Sequence, residues 1–221
     1  MKHGAILSSS KTSRRQRWIT SHTTDPYVRA ARAAGYRSRA AYKLLELNQR
    51  VQLIRPGMSV IDLGAAPGGW SQVVAQLVGL HGRVVAVDRQ SMDPLPNVSV
   101  VQGDLGEVGF RNHLLETLGP GKVDLVISDM APNISGIAAV DQAAALDIVE
   151  NAREFAQDVL KPGGDLLVKV FMGESLAPFT KSLTASYRCV LVRKPKASRD
   201  ASREVYVVAR GFQQRGEECL V

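Results

Sequence analysis

The chain has 221 residues, which suits one domain with a substantial core, and its 45% hydrophobic content is ordinary for a globular protein. No apolar run approaches the roughly 18 residues of a membrane span, and the apolar patch at residues 5–7 is too short for a signal-peptide core. The two cysteines, Cys189 and Cys219, lie in no CxxC motif or Cys/His cluster. We therefore expect a reduced, cytoplasmic protein without a metal site.

The net charge of +7 is concentrated at the two ends of the chain. Residues 1–50 hold 11 Lys/Arg against 2 Asp/Glu, and residues 188–215 hold 8 against 2. The middle, residues 51–187, holds 9 against 15. This segregation favours a polyanion-binding surface built from both ends, although a merely soluble basic surface would give the same counts.

The chain begins with a segment, residues 1–20, that is rich in Ser, Thr, Lys and Arg and lacks periodicity. We expect a flexible basic arm there, followed by a single domain over residues 21–212 and a tail over residues 213–221. Asp25 and Pro26 are a suitable N-cap and first-turn pair for a helix that ends at Gly35. A second helix is expected over residues 38–49.

From residue 59 onward, strand and helix patterns alternate. Strands are predicted at residues 59–63, 83–87, 98–102, 123–128, 166–170, 189–193 and 204–209. Helices are predicted at residues 71–80, 111–118, 141–160 and 178–186, and residues 161–164 turn the chain into the fifth strand. Near-continuous apolar strands suit a parallel sheet covered on both faces, whereas the short loop between the last two strands favours antiparallel pairing. The sequence therefore predicts an α/β fold with a doubly wound, mostly parallel, Rossmann-like sheet and an antiparallel last strand.

A glycine-rich turn, residues 62–70, joins the first strand to a helix. Its glycines, Gly64, Gly68 and Gly69, let the backbone approach a ligand and leave N–H groups free at a helix N-terminus. Their spacing is not the G-x-G-x-x-G of dinucleotide enzymes, and Pro67 removes a donor that a pyrophosphate would use. The turn therefore favours a ligand that carries an adenosine and a carboxylate, although it is also compatible with a simple tight turn.

The next two strands lead into acidic residues at the same edge of the sheet. Asp88 is placed to accept hydrogen bonds from both ribose hydroxyls, and Asp104 is placed to reach the exocyclic amine of adenine. Either carboxylate alone is also explained as a helix cap. The prediction of a cofactor site therefore depends on all three elements together.

Two lysines and two carboxylates are predicted to meet beside this turn. Asp129 ends the fourth strand and Lys169 the fifth, Glu204 opens the last strand, and Lys43 lies on the basic helix before the sheet. A free lysine is charged at neutral pH and is a poor base, but burial and a second cation favour the neutral amine. Asp129 would orient Lys169, and Glu204 would hold Lys43. The alternative for Lys169 and Glu204 is a structural ion pair at the sheet edge.

With these residues together, the chain resembles the FtsJ/RrmJ family, the ribosomal RNA ribose 2′-O-methyltransferases that use S-adenosylmethionine. The resemblance covers about residues 18–210 and is carried by residues 38–44, 62–72, 128–136, 162–164 with 168–171, and 193–206. It implies a K-D-K-E catalytic tetrad at Lys43, Asp129, Lys169 and Glu204, with Lys169 as the proton acceptor. It also implies cofactor contacts at Gly68, Trp70, Asp88, Asp104 and Asp129.

The resemblance further implies a substrate. The family's usual target is a uridine in the A-loop of the large-subunit (23S) RNA, on an assembled or late-assembling 50S particle. Members that act on tRNA or messenger caps share the tetrad, and the compact length favours the ribosomal branch. We expect a monomer.

Basic residues near the predicted site are expected to contact RNA phosphates. They are Arg37, Arg39, Arg193, Lys194, Lys196, Arg199 and Arg203, continued by Arg14, Arg15, Arg17, Arg29 and Arg32. Tyr36 or Tyr42 is a candidate for stacking on a base, and Tyr42 is equally well explained as core. Two other functional classes remain open: an RNA-binding assembly protein without chemistry, and a dinucleotide-linked oxidoreductase, which the glycine spacing disfavours.

Overall fold

The structure is a computed structural model that describes residues 25–214. Its helices are α1 (Pro26–Ala33), α2 (Ala40–Val51), α3 (Gly69–Val78), α4 (Phe110–Leu118), α5 (Ala138–Val159) and α6 (Leu176–Leu183). Its strands are β1 (Ser59–Leu63), β2 (Arg83–Asp88), β3 (Val98–Gln102), β4 (Val123–Ser128), β5 (Leu160–Phe171), β6 (Tyr187–Arg193) and β7 (Glu204–Phe212). The predicted arm, most of the predicted tail, Arg14, Arg15, Arg17 and Cys219 lie outside the described residues.

The seven strands form one sheet in the order β3-β2-β1-β4-β5-β7-β6. Strands β1 to β5 pair in parallel, and β7 runs antiparallel to both of its neighbours, β5 and β6. This topology confirms the predicted mostly parallel sheet with an antiparallel last strand. The strand order reverses between β1 and β4, which is where ligands of open α/β sheets bind.

Helices cover both faces of the sheet, as the apolar strands predicted. Helices α2 and α3 pack on one face, where Leu44 and Val74 meet Val60 of β1. Helices α4, α5 and α6 pack on the other face, where Phe155 and Phe179 meet the core cluster that contains Ile61 of β1. Successive β1 residues thus enter opposite layers because side chains alternate along a strand.

Strand β5 differs most from its predicted bounds, because it begins at Leu160 and not at residue 166. Leu160 pairs with Val123 and Asp165 with Leu125, so residues 161–164 form an irregularity within the strand pair. The prediction that these residues form a turn before the strand was wrong. Predicted and observed helix bounds differ by no more than three residues.

No helix in residues 25–214 is long and apolar enough to cross a membrane.

Candidate active site

Two lysines and two carboxylates meet where α2 packs beside β4, β5 and β7. The Lys43 Nζ lies 2.8 Å from Glu204 Oε1 and 3.8 Å from Asp129 Oδ2. The Lys169 Nζ lies 3.1 Å from Asp129 Oδ1 and also donates to the Asp129 carbonyl oxygen. The structure therefore brings the four predicted residues together, and Asp129 joins the two lysines.

These four charges are largely withdrawn from water. The exposed fractions of the side chains are 7% for Lys169, 11% for Lys43 and Glu204, and 18% for Asp129. Burying ion pairs costs desolvation energy that often equals or exceeds their attraction, so such a set is weak as a stability device. Asp129 takes two of the bonding directions of Lys169 Nζ, which leaves one for a further group.

Tyr206 belongs to the same set, and the sequence reasoning missed it. Its hydroxyl donates to Asp129 Oδ1 at 2.6 Å, and its ring centre lies 5.7 Å from Lys43 Nζ. Burial, with the nearby Asp129 and Glu204 charges, raises the pKa of Tyr206 above its ordinary value, so the hydroxyl stays a donor. One signal was available: Glu204 and Tyr206 are two residues apart on one strand and share a face.

A cavity of about 590 Å³ opens at the carboxyl ends of β1, β2 and β4. Four of the residues predicted to hold a cofactor line it, namely Gly64, Asp88, Asp104 and Asp129. Because Asp129 also contacts both lysines, this cavity and the charged set share a wall. We call it the cofactor cavity.

The cavity wall is built by close backbone approach and fixed carboxylates. Gly64 has a φ of +73°, and a Cβ there would lie 2.2 Å from Met130 Cγ, so only glycine fits. The Asp88 carboxylate accepts from Ala66 N at 2.9 Å and from Gln90 N at 2.7 Å. Its orientation is therefore set before any ligand arrives.

The rest of the predicted turn residues pack against protein. A Cβ on Gly68 would lie 2.9 Å from Leu95 Cδ1, and one on Gly69 would lie 2.2 Å from Ser38 Oγ. The Trp70 indole is 3% exposed and donates to the Ala40 carbonyl at 2.8 Å. None of the three lines the cofactor cavity. What they can offer a ligand is backbone N–H at the start of α3.

Asp62 is a second residue that the sequence reasoning did not single out for a role. It lies in β1, is fully buried, and accepts a hydrogen bond from Ser71 Oγ at 2.6 Å. Burial raises the pKa of Asp62 to about 7, although the Ser71 hydrogen bond acts in the opposite direction. The pair ties the end of β1 to the first turn of α3 across the glycine-rich turn.

Two arginines that were predicted to bind phosphates are instead engaged by the protein. Arg39 is largely buried, pairs with Asp25 and donates to the Ala197 carbonyl. Arg37 donates to the carbonyl oxygens of Pro67, Asp93 and Pro94, so it holds the glycine-rich turn to the β2–β3 loop. Neighbouring carbonyls and a carboxylate thus engage guanidinium groups that the sequence leaves apparently free, and phosphate binding by these two arginines stays a prediction.

The other predicted RNA contacts lie at the end of β6 and on the loop to β7. Lys194, Lys196, Arg199 and Arg203 are exposed, and Arg193 is half-buried. A further cavity of about 400 Å³ lies between this loop and α2, with Arg199, Lys43 and Glu204 in its lining. The exposed cations therefore lead directly to the charged set.

Tyr36 and Tyr42 were the candidates for stacking on a base. The ring centre of Tyr42 lies 5.6 Å from that of Tyr27 and 5.9 Å from that of Tyr36. Tyr42 is half-buried and belongs to neither core cluster, whereas Tyr36 packs against the cluster that contains Leu44. Stacking on a base therefore stays a prediction for both.

Comparisons with known proteins agree with this geometry. A model of the FtsJ-like methyltransferase family matches residues 36–212. The chain is 52% identical over 211 residues to "Ribosomal RNA large subunit methyltransferase E" of Pseudomonas fluorescens, covering 96% of this chain and 100% of that protein. It is 54% identical over 206 residues to the protein of the same name from Cellvibrio japonicus, covering 93% and 97%.

A similar fold is found in a crystal structure from Plasmodium falciparum, of a protein assigned as a ribosomal RNA methyltransferase. That structure superposes with a TM-score of 0.73 at 29% identity, over 80% of this chain and 98% of that one.

Proposed function

We propose, from the premise that the chain belongs to the FtsJ-like methyltransferase family, that it methylates a ribose 2′-hydroxyl of large-subunit ribosomal RNA with S-adenosylmethionine as donor. The observation that carries the proposal is the position of Asp129, which lines the cofactor cavity and contacts both lysines. A donor in the cavity and an acceptor hydroxyl at Lys169 would thus lie on two sides of one carboxylate.

The cofactor cavity fits this donor in size and chemistry. Its volume of about 590 Å³ lies within the usual range for small-molecule sites. Asp88 and Asp104 would accept hydrogen bonds from the ribose hydroxyls and the adenine amine, and Gly64 keeps the floor open. When bound, S-adenosylmethionine supplies an electrophilic methyl group on its sulfonium.

The residues of the chain activate the acceptor. In this proposal the neutral Lys169 amine accepts the proton that the 2′-hydroxyl loses as its oxygen gains the methyl group, and it becomes an ammonium. Asp129 positions the Lys169 amine, and the Tyr206 hydroxyl in turn fixes Asp129. Lys43 and Glu204 hold each other at 2.8 Å, and the set carries no net charge once Lys169 has taken up the proton.

We propose that the target nucleotide is a uridine in the A-loop of 23S RNA, on an assembled or late-assembling 50S particle in the cytoplasm. The names of the relatives support large-subunit RNA. The exposed cations of the β6–β7 loop support phosphate contacts, which give affinity without sequence choice. We propose that the folded particle supplies the specificity and that the enzyme acts as a monomer.

The experiment is transfer of a labelled methyl group from S-adenosylmethionine to large-subunit particles and to naked RNA, followed by mapping of the modified ribose. We expect a single 2′-O-methyluridine in the A-loop, made on particles only. Incorporation of label into tRNA instead would support methyl transfer to RNA but would contradict large-subunit RNA as the substrate. No incorporation into any RNA would favour the assembly-protein alternative.

A further inference from the structure

An apolar cavity of about 350 Å³ lies beside the charged set and is distinct from the cofactor cavity. It is bounded by the loop after β4, the first half of α5 and the end of β5. Its apolar lining includes Ile134, Leu146, Val149, Phe171 and Met172. Its volume is at the lower end of the range for small-molecule sites.

The backbone connects this apolar cavity directly to the candidate base. Phe171, in its wall, is two residues beyond Lys169 on β5, a separation of roughly 7 Å along an extended strand. Phe171 also pairs with Glu204 in the sheet register, and Arg203, the preceding residue, lines the cavity. Pro132 borders both this cavity and the cofactor cavity. The apolar cavity therefore adjoins the strand end that carries Lys169 and, through Pro132, the cofactor cavity, while its walls at Val149 and Val170 belong to the α5 layer of the core.

Exposed apolar side chains gather at the same place. The described residues contain eight exposed large hydrophobic side chains, and four of these lie in the cavity wall or the adjoining segment. They are Ile134 at 79%, Ile137 at 62%, Val140 at 52% and Met172 at 48% exposure. Single exposed hydrophobics are ordinary, but a cluster beside a cavity marks a binding site.

Hydrogen bonds order the cavity wall without any ligand. The Asp141 carboxylate accepts from Ser135 N at 2.7 Å, Ser135 Oγ at 2.7 Å and Gly136 N at 3.1 Å. Gln142 Nε2 donates to Ser175 Oγ at 3.3 Å and so joins α5 to the segment after β5. The segment that follows Ile134 is thus held to the start of α5, and α5 is held to the segment after β5.

We propose that the apolar cavity receives the unstacked nucleobase of the target nucleotide, an inference that rests on the proposed function. A ribose within a folded RNA reaches a protein base more easily when its own nucleobase is turned out of the stack. Ile134 and Met172 contact the faces of the base, and Gln142 and Arg203 lie at the rim for its polar edge. The cavity beside Arg199 is lined by charged groups, so it suits phosphates and not a base.

The first test uses Ile134→Ala and Met172→Ala, with Leu80→Ala as the matched control. Leu80 is 86% exposed and lies between α3 and β2. It is therefore an exposed apolar side chain like Ile134 and Met172, but it is not part of the apolar cavity. We expect kcat/KM for large-subunit particles to fall by about tenfold in both cavity variants, because loss of an aliphatic contact in a hydrophobic pocket costs at least about 1 kcal/mol. Affinity for S-adenosylmethionine, measured by calorimetry, should stay unchanged. If kcat/KM of the two cavity variants equals that of Leu80→Ala, the proposal is overturned.

The second test removes the base itself. Particles are reconstituted with a synthetic RNA segment whose target nucleotide, as mapped, has no base but keeps its 2′-hydroxyl. On this substrate Ile134→Ala should no longer lower kcat/KM, because the group that Ile134 contacts is already gone. An equal loss on both substrates would show that the cavity does not hold the base. Absence of wild-type activity on every intact particle would instead overturn the proposed function.

Discussion

The glycine-rich turn and the charged set at Asp129 lie at the ends of adjacent strands, yet they are held in different ways. The turn is secured by a local pair, Asp62 with Ser71, nine residues apart and shielded from water. The charged set is assembled from α2, β4, β5 and β7, and it joins the cofactor cavity. Under the proposed function, the turn's polar groups shape the site, whereas the charged set performs the chemistry.

The largest expected effect tests the chemical half of this comparison. Lys169→Ala should lower the rate of methyl transfer on the order of 10³-fold, because a positioned general base typically contributes 10²–10⁴-fold. Cofactor affinity should hold, because Lys169 does not line the cofactor cavity. Single-turnover transfer and calorimetry measure the two quantities. Lys181→Ala, which changes an exposed lysine on α6, is the control, and near-normal turnover in Lys169→Ala would mean that the assigned base is wrong.

The next prediction concerns Asp62, which secures the glycine-rich turn, and the pH dependence of the free energy of unfolding. Burial raises the pKa of Asp62 to about 7, so the native state keeps a proton that the unfolded chain releases near pH 4. The stabilisation is therefore fully present below about pH 4, declines as the pH rises to about 7, and is then lost, a change on the order of 4 kcal/mol.

Urea unfolding of the wild type and of Asp62→Asn across this range measures the effect. The variant should lose most of the slope, whereas Asp200→Asn, at an exposed carboxylate, should keep it. Equal slopes in wild type and Asp62→Asn would show that Asp62 is ionised in the native state across this range.

A glycine pair separates strain from crowding in the turn. Gly64 and Gly35 both have a φ angle of +73°, but only at Gly64 would a Cβ meet another residue, Met130. Gly64→Ala should therefore lower the free energy of unfolding by about 2 kcal/mol more than Gly35→Ala, and should also weaken cofactor binding. Thermal melts measure the loss of stability, and calorimetry measures the loss of cofactor affinity. Equal losses of stability in the two variants would show that contact with Met130 does not matter.

The smallest expected effect sharpens the boundary between the two regions. Tyr206→Phe removes the hydroxyl that donates to Asp129 at 2.6 Å while it keeps the ring. One hydrogen bond to a charged group contributes about 1.5 kcal/mol at the low end, so we expect a rate loss of roughly tenfold. A pre-steady-state assay checks this. A loss of stability with unchanged turnover would show that the Tyr206 hydroxyl supports the fold and not the reaction.

Much of the fold followed from local sequence. Apolar runs and the helical pattern between them predicted a doubly wound parallel sheet, and the short β6–β7 loop predicted the antiparallel last strand. Strand β5 was placed less well, because a Pro-Gly-Gly segment resembles a turn even where the neighbouring strand accommodates it as an irregularity. Local pattern reports conformational preference but does not report pairing partners.

The sequence by itself also determined which chemical groups the site offers, namely a glycine-rich turn, three charged residues at strand ends and Lys43 on α2. Only the tertiary structure decided which side chains remained available. Arg39 is engaged by Ala197, 158 positions away, and Asp129 is fixed by Tyr206, 77 positions away. Contacts over such distances depend on how layers pack, and no local period encodes them. The apolar cavity beside Lys169 likewise exists only because three segments, distant in sequence, enclose one space.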